Sequence, residues 1–145
     1  MSNVTLTDAH LEAGNWRPLP SPTWLSRPFW DACAEGRLIV QQCKECGKHI
    51  FRPQFACTQC FSTDLHWVQA SGKGFLHSYS TVRRPAFPEL PSIYVVAAVR
   101  MEEDWFMMSN LIDCSVDEVR VEMPLEVAFK SFGELTLPFV KPAAL

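Results

Sequence analysis

Cys43-Lys44-Glu45-Cys46-Gly47, followed by Cys57-Thr58-Gln59-Cys60, decides how this 145-residue chain folds. Two residues between the cysteines of each pair let one tight turn aim both sulfurs at a single point. Two such turns face to face supply four ligands to a tetrahedral ion, and the expected ion is zinc. Gly47 suits the second half of such a knuckle, where the backbone commonly needs positive φ, and Phe61-Ser62 holds the equivalent place after Cys60. Residues 38–42, 49–52 and 65–69 read as short strands that carry the knuckles between them, which is a zinc ribbon. Four thiolates fill the coordination shell and leave no position for water, so the expectation is one structural Zn2+ per chain, held by Cys43, Cys46, Cys57 and Cys60.

A redox dithiol would want one such pair at the head of a helix after a buried strand, whereas here two pairs lie in turn-rich polar sequence. A disulfide framework suits a secreted chain, and the N-terminus shows no charged start followed by an apolar segment, so a reducing cytoplasm is the expected setting. Cys33 and Cys114 stand apart from the cluster and read as small buried apolar residues. An apolar content of 48% and a charged content of 20% describe a globular protein, and no uninterrupted apolar stretch is long enough to cross a bilayer. A net charge of −3 argues against general nucleic-acid binding, which depends on excess Lys and Arg.

Outward from the cysteines, the chain divides into three. Residues 1–26 read as an extended arm, with Pro18, Pro20 and Pro22 at alternate positions and Trp16 and Trp24 able to pin it to a surface. Residues 27–70 are a helix plus the ribbon. Ser26 can cap that helix, Pro28 falls in its first turn, Phe29, Trp30 and Cys33 share one side, and Gly36 can end it in a left-handed conformation. Residues 71–145 open with the Ser71-Gly72-Lys73-Gly74 turn. Strands follow at 75–82, 93–101, 105–112, 125–130 and 135–140, with a helical turn at 115–119. Four or five strands with one short helical insertion before the fourth are what a small Greek-key barrel of the OB type needs.

Phe29-Trp30, Gly36-Arg37-Leu38, the paired cysteines with Gly47 and Pro53 between them, Trp67, and Gly72-Lys73-Gly74 leading into Ser78-Tyr79-Ser80-Thr81-Val82 carry a family likeness. From about residue 27 to 139 the chain resembles the proteins that join a rubredoxin-like zinc ribbon to an OB fold, often called acyl-CoA-associated or domain of unknown function thirty-five. The resemblance implies a mainly β fold and a non-catalytic accessory subunit. Its expected partner is a thiolase-like, ketoacyl-synthase-like, aldolase or hydratase enzyme, with acyl-CoA as a further ligand and no membrane. Members usually carry glycine just before the fourth barrel strand, where this chain has Val121-Glu122-Met123-Pro124. Glycine is also common where it has Glu102-Glu103-Asp104.

The residues themselves offer little for catalysis. His10, His49, His66 and His77 show no spacing that pairs them with a nucleophile, and Glu102, Glu103 and Asp104 are adjacent and cannot converge. For a CoA thioester, Lys73, Arg83 and Arg84 are the candidate phosphate cations, with Phe87 beside them; an Arg pair at a strand end is also an ordinary solvated edge. Trp105-Phe106-Met107-Met108 is apolar on both faces of a strand. One face must point inward and the other must meet something, so Phe87, Leu90, Trp105 and Phe106 are the candidate partner interface. Two other readings compete. One is a stand-alone acyl-CoA binder. The other is an OB-fold nucleic-acid module, which nine acids against six Lys and Arg between Gly72 and Phe132 disfavour.

Overall fold

The computed structural model describes residues 5–6, 18–86, 90 and 93–144; the readings placed on His10, Trp16 and Phe87 lie outside them. In chain order the elements are β1 (Thr5–Leu6), α1 (Arg27–Ala34), β2 (Ile39–Cys43), β3 (His49–Ile50), β4 (Leu65–Gln69), β5 (Lys73–Val82), β6 (Tyr94–Met101), β7 (Phe106–Leu111) and β8 (Cys114–Ser115). A 3-10 turn (Val116–Glu118), β9 (Pro124–Phe132) and β10 (Leu135–Pro142) follow. The fold is mainly β. No helix among the described residues is long and apolar enough to cross a membrane.

Helix α1 forms where expected, with Pro28 in its first turn and Phe29, Ala32 and Cys33 buried on one side. It ends because Gly36 takes φ +75° and donates to the Cys33 carbonyl at 3.0 Å. Ser26 does not cap it. The Ser26 hydroxyl instead accepts from the Thr23 N–H at 2.9 Å, and Thr23 Oγ1 accepts from the Ser26 N–H at 3.2 Å, so the two residues close a turn before the helix begins.

The ribbon is the three-stranded sheet β3-β2-β4, in which Gln41 lies between Ile50 on one side and Trp67 on the other. The barrel closes in the order β10-β7-β6-β5-β9. Strands β5, β6 and β7 run as consecutive antiparallel hairpins, β9 returns beside β5, and β10 closes on β7 in parallel through Val140 and Leu111. This is the OB arrangement. Alternate residues fill the interior: Leu76, Val95, Val99, Met107, Leu111, Leu125 and Val140 are all buried. Strand β5 must serve two neighbours at once, since Gly74 pairs with both Met101 and Leu125. A β-carbon there would lie 2.6 Å from the Arg100 carbonyl oxygen, which is why the position is glycine.

Two turns explain the departures from the family pattern. Asp104 closes the β6–β7 hairpin at φ +64°, and Glu122 precedes β9 at φ +70°. The left-handed conformations that glycine commonly supplies are kept, adopted by residues with side chains. The arm is not wholly detached: β1 pairs with β8, Leu6 is buried, and the Asp113 N–H donates to the Leu6 carbonyl. Ser115 and Glu118 form a capping box around the 3-10 turn.

The ribbon and barrel are separate sheets with a shared core. Phe29, Cys33, Leu38 and Val40 belong to the same buried cluster as Leu76, Val99 and Met107. The metal end has a cluster of its own, made by Cys43, Ile50 and Cys57 with Leu65 against them, and Ile112, Leu137 and Phe139 form another with Trp30 against it. Cys33 and Cys114 are both buried, and burial pushes their thiols up to about 12 and about 11.

Candidate functional site

The two knuckles are built alike. Gly47 N–H donates to the Cys43 carbonyl at 2.9 Å, and Phe61 N–H donates to the Cys57 carbonyl at 3.1 Å. Gly47 and Phe61 hold φ of +78° and +64°, so each turn reverses left-handed after its second cysteine. The four sulfurs converge within 4.8 Å of one another, with Cys43–Cys60 and Cys46–Cys57 each at 3.6 Å. Zn–S bonds of about 2.3 Å in a regular tetrahedron place sulfurs about 3.8 Å apart, so the cage fits that ion. Among the described residues no other group of three or more His, Cys, Asp or Glu side chains is arranged to hold a metal. Backbone N–H groups of Cys60 and Gln59 are aimed at the Cys57 sulfur, the latter at 3.3 Å, and lower its thiol from the ordinary range.

Beside the knuckles, residues 51–54 form a loop that joins ribbon to barrel. Gln41 is a buried polar residue on β2, and its side-chain amide grips Gln54 from both ends. Nε2 donates to the Gln54 carbonyl at 3.1 Å, and Oε1 accepts the Gln54 N–H at 2.7 Å. Phe51, so held, packs its ring 5.6 Å from Phe29 of the helix and 5.3 Å from Trp105 of the barrel. Glu103 adds a polar link: Oε1 accepts from Trp105 Nε1 at 3.1 Å and Oε2 from the Ser71 N–H at 2.7 Å. Ribbon, helix and barrel therefore meet through specific, paired contacts.

Two clefts flank this junction and share Phe51 and Phe106 as their common wall. One of about 640 Å³ lies between the knuckles and the β6–β7 turn. The other, about 770 Å³ and mostly apolar, lies between α1, the Pro20-Ser21 segment, Pro53 and the outer side of β7 and β10. Phe106 and Met108 stand out from β7 at its edge, 48% and 72% exposed.

The sequence-derived site residues fare differently. The four cysteines come together. Trp105 does not belong to an exposed interface: it is 3% exposed, because strand alternation turns it and Met107 inward and turns Phe106 and Met108 out. Leu90 is half-buried in a bend, and Phe87 lies outside the described residues. Lys73 opens β5 while Arg83 and Arg84 follow its far end, so these cations are not gathered at one place. His49 and His66 lie on ribbon strands and His77 rests edge-on against Phe106 at 5.0 Å. Gln41 and Phe51 were not legible as site residues; two adjacent glutamines on a strand carry no sign of which one turns inward.

Comparison with known proteins gives a consistent picture. Residues 30–66 match the ChsH2 rubredoxin-like zinc ribbon domain, and residues 67–130 match the ChsH2 C-terminal OB-fold domain. A DUF35 domain-containing scaffold protein of Methanothermobacter thermautotrophicus is 32% identical over 67% of this chain and 74% of its own length. A probable enoyl-CoA hydratase alpha subunit of Thermomonospora curvata is 31% identical over 88% of this chain, which spans only 40% of that protein. Among solved structures, a chain of an Ltp2-ChsH2(DUF35) aldolase superposes with a TM-score of 0.79 at 30% identity, covering 87% of this chain and 100% of that one. Cage geometry and ribbon match agree: Cys43, Cys46, Cys57 and Cys60 are the ligands of a structural zinc.

Proposed function

Because this chain belongs to the DUF35 family, which joins a rubredoxin-like zinc ribbon to an OB-fold domain, we propose that it is an accessory subunit of a CoA-thioester-processing enzyme. The observation that carries this reading is the superposition on the whole of a DUF35 chain from an aldolase. Similarity to a hydratase alpha subunit points the same way. In this reading the chain supplies no catalytic group. Zinc, with its shell filled by four thiolates, holds the knuckles, and Gln41 and Phe51 fix the ribbon against the barrel. The exposed β7 edge then faces an aldolase, hydratase, thiolase-like or ketoacyl-synthase-like partner and contributes to its acyl-CoA channel. A reducing cytoplasm suits the two buried free thiols.

The test is affinity capture of the tagged chain from its host, with mass spectrometry of what co-purifies at stoichiometric level. An aldolase-, hydratase-, thiolase- or ketoacyl-synthase-type chain in that eluate is the expected result and names the reaction to assay. Capture of acyl-CoA or nucleic acid with no enzyme chain would overturn the reading.

A further inference from the structure

Strand β7 is bonded to β6 along one edge, and the hairpin between them fixes which residues those bonds use. Met101 N–H donates to the Trp105 carbonyl at 2.7 Å, which makes this a hydrogen-bonded pair. Antiparallel alternation then makes Val99 with Met107, and Ala97 with Ser109, the next such pairs. The N–H and C=O groups of Phe106 and Met108 accordingly point away from β6, toward β10.

There the ladder stops short. Among the described residues β10 meets β7 at the single register pair Val140 and Leu111, with Ile112 N–H donating to the Val140 carbonyl at 2.8 Å. Further along the seam β10 presents Pro138, which has no N–H, and whose carbonyl accepts the Ser109 hydroxyl at 2.8 Å. The main-chain edge of Phe106 and Met108 opens instead onto the 770 Å³ groove, whose opposite wall includes Trp30 and Pro53. The exposed residues on this edge are Phe and Met rather than Lys or Pro, and the β6–β7 register is unbroken through Arg100 and Phe106.

We infer that this groove receives an extended segment of the partner enzyme, added as a strand to the free edge of β7 beside Phe106 and Met108. The inference rests on the accessory-subunit reading and specifies its contact. Its occupant follows from chemistry: the Phe106 and Met108 N–H and C=O groups are in register with no strand on this side among the described residues; an acyl chain offers them nothing, whereas an extended backbone satisfies both and presents alternate side chains to the apolar walls.

The test uses the complex obtained by the capture experiment. Met108→Pro deletes an N–H directed into the groove and none bonded to β6, as proline is tolerated on an outward strand edge. Met108→Ala trims the side chain and keeps that N–H. The expected result is partner affinity at least tenfold weaker for M108P than for M108A, at equal zinc content. Hydrogen exchange on the unsubstituted chain gives a second readout: the Phe106 and Met108 amides exchange fast when free and become protected in the complex, while Met107 and Ser109 are protected in both. Equal affinities of folded M108P and M108A, or fast exchange at Phe106 and Met108 within an intact complex, would overturn the strand addition and leave the accessory role standing. Protection at these amides in the free chain that grows with its concentration, or on adding an acyl-CoA alone, would assign the groove to a second copy or to the ligand and also overturn it. Failure to capture any CoA enzyme removes both proposals together.

Discussion

Replacing Gln41 with leucine tests whether one buried amide fixes the geometry of the junction. The change removes two hydrogen bonds, at 3.1 and 2.7 Å, from a residue only 5% exposed. Each bond contributes about 1 kcal/mol net, and a main-chain group left buried without a partner costs about 1–3 kcal/mol. Gln54 is half-buried, so part of that cost is recovered from water as the loop shifts, and a loss of about 2–4 kcal/mol is expected. With a urea dependence of about 2 kcal/mol/M, the unfolding midpoint falls by about 1–2 M. Gln41 is not among the zinc ligands, so metal content stays at one per chain while partner affinity falls with the displaced Phe51 wall. The assay is urea unfolding followed by tryptophan fluorescence, with zinc measured on the same samples. A midpoint within about 0.5 M of the unsubstituted protein, with partner affinity intact, would show that the amide clamp does not hold this loop.

Cys57→Ser should lose zinc and open the Ile50–Leu65 end of the ribbon; because Leu38 and Val40 lie in the barrel's core, the barrel should survive with a lowered melting temperature, checked by metal analysis and calorimetry. Gly74→Ala sets a methyl 2.6 Å from the Arg100 carbonyl and 2.9 Å from Val99 Cγ1, and should destabilise by about 1–3 kcal/mol in the same urea assay; a neutral result would contradict the crowding. Asp104→Gly relieves a side chain at φ +64° and should stabilise by about 0.5–1 kcal/mol, a higher melting temperature being the readout. Burial raises the Cys33 thiol from 9.0 to about 12, so the unfolded chain gives up this proton first as pH rises. That stability is fully present below pH 9 and is lost toward pH 12, and Cys33→Ala should flatten the alkaline decline of the urea midpoint; parallel declines in the two proteins would refute it.

Much of this molecule is written in local sequence. The four ligands are fixed by Cys-x-x-Cys spacing, because each knuckle turn is closed by a bond within five residues, Gly47 N–H to the Cys43 carbonyl and Phe61 N–H to the Cys57 carbonyl. Helix α1 and the barrel strands follow from the period of their apolar residues, and their bounds differ from expectation by at most two residues at the ends, where pairing partners decide. The order of parts was legible from the residues themselves, and family likeness added the expectation of an enzyme partner. What neither could supply is which polar residue turns inward, as with Gln41, or that Trp105 would be buried against Phe51 from a loop of the ribbon. Those outcomes depend on residues far apart in sequence that only packing brings together. The cations show the same limit from the other side: Lys73 and Arg83 look close along the chain, yet an extended strand holds them at its two ends. The sequence by itself determined the zinc cage and the barrel, since both rest on short-range spacing and periodicity. Only the tertiary structure decided how ribbon and barrel join and how short the β7–β10 pairing is among the described residues, since both depend on which distant backbone groups find partners.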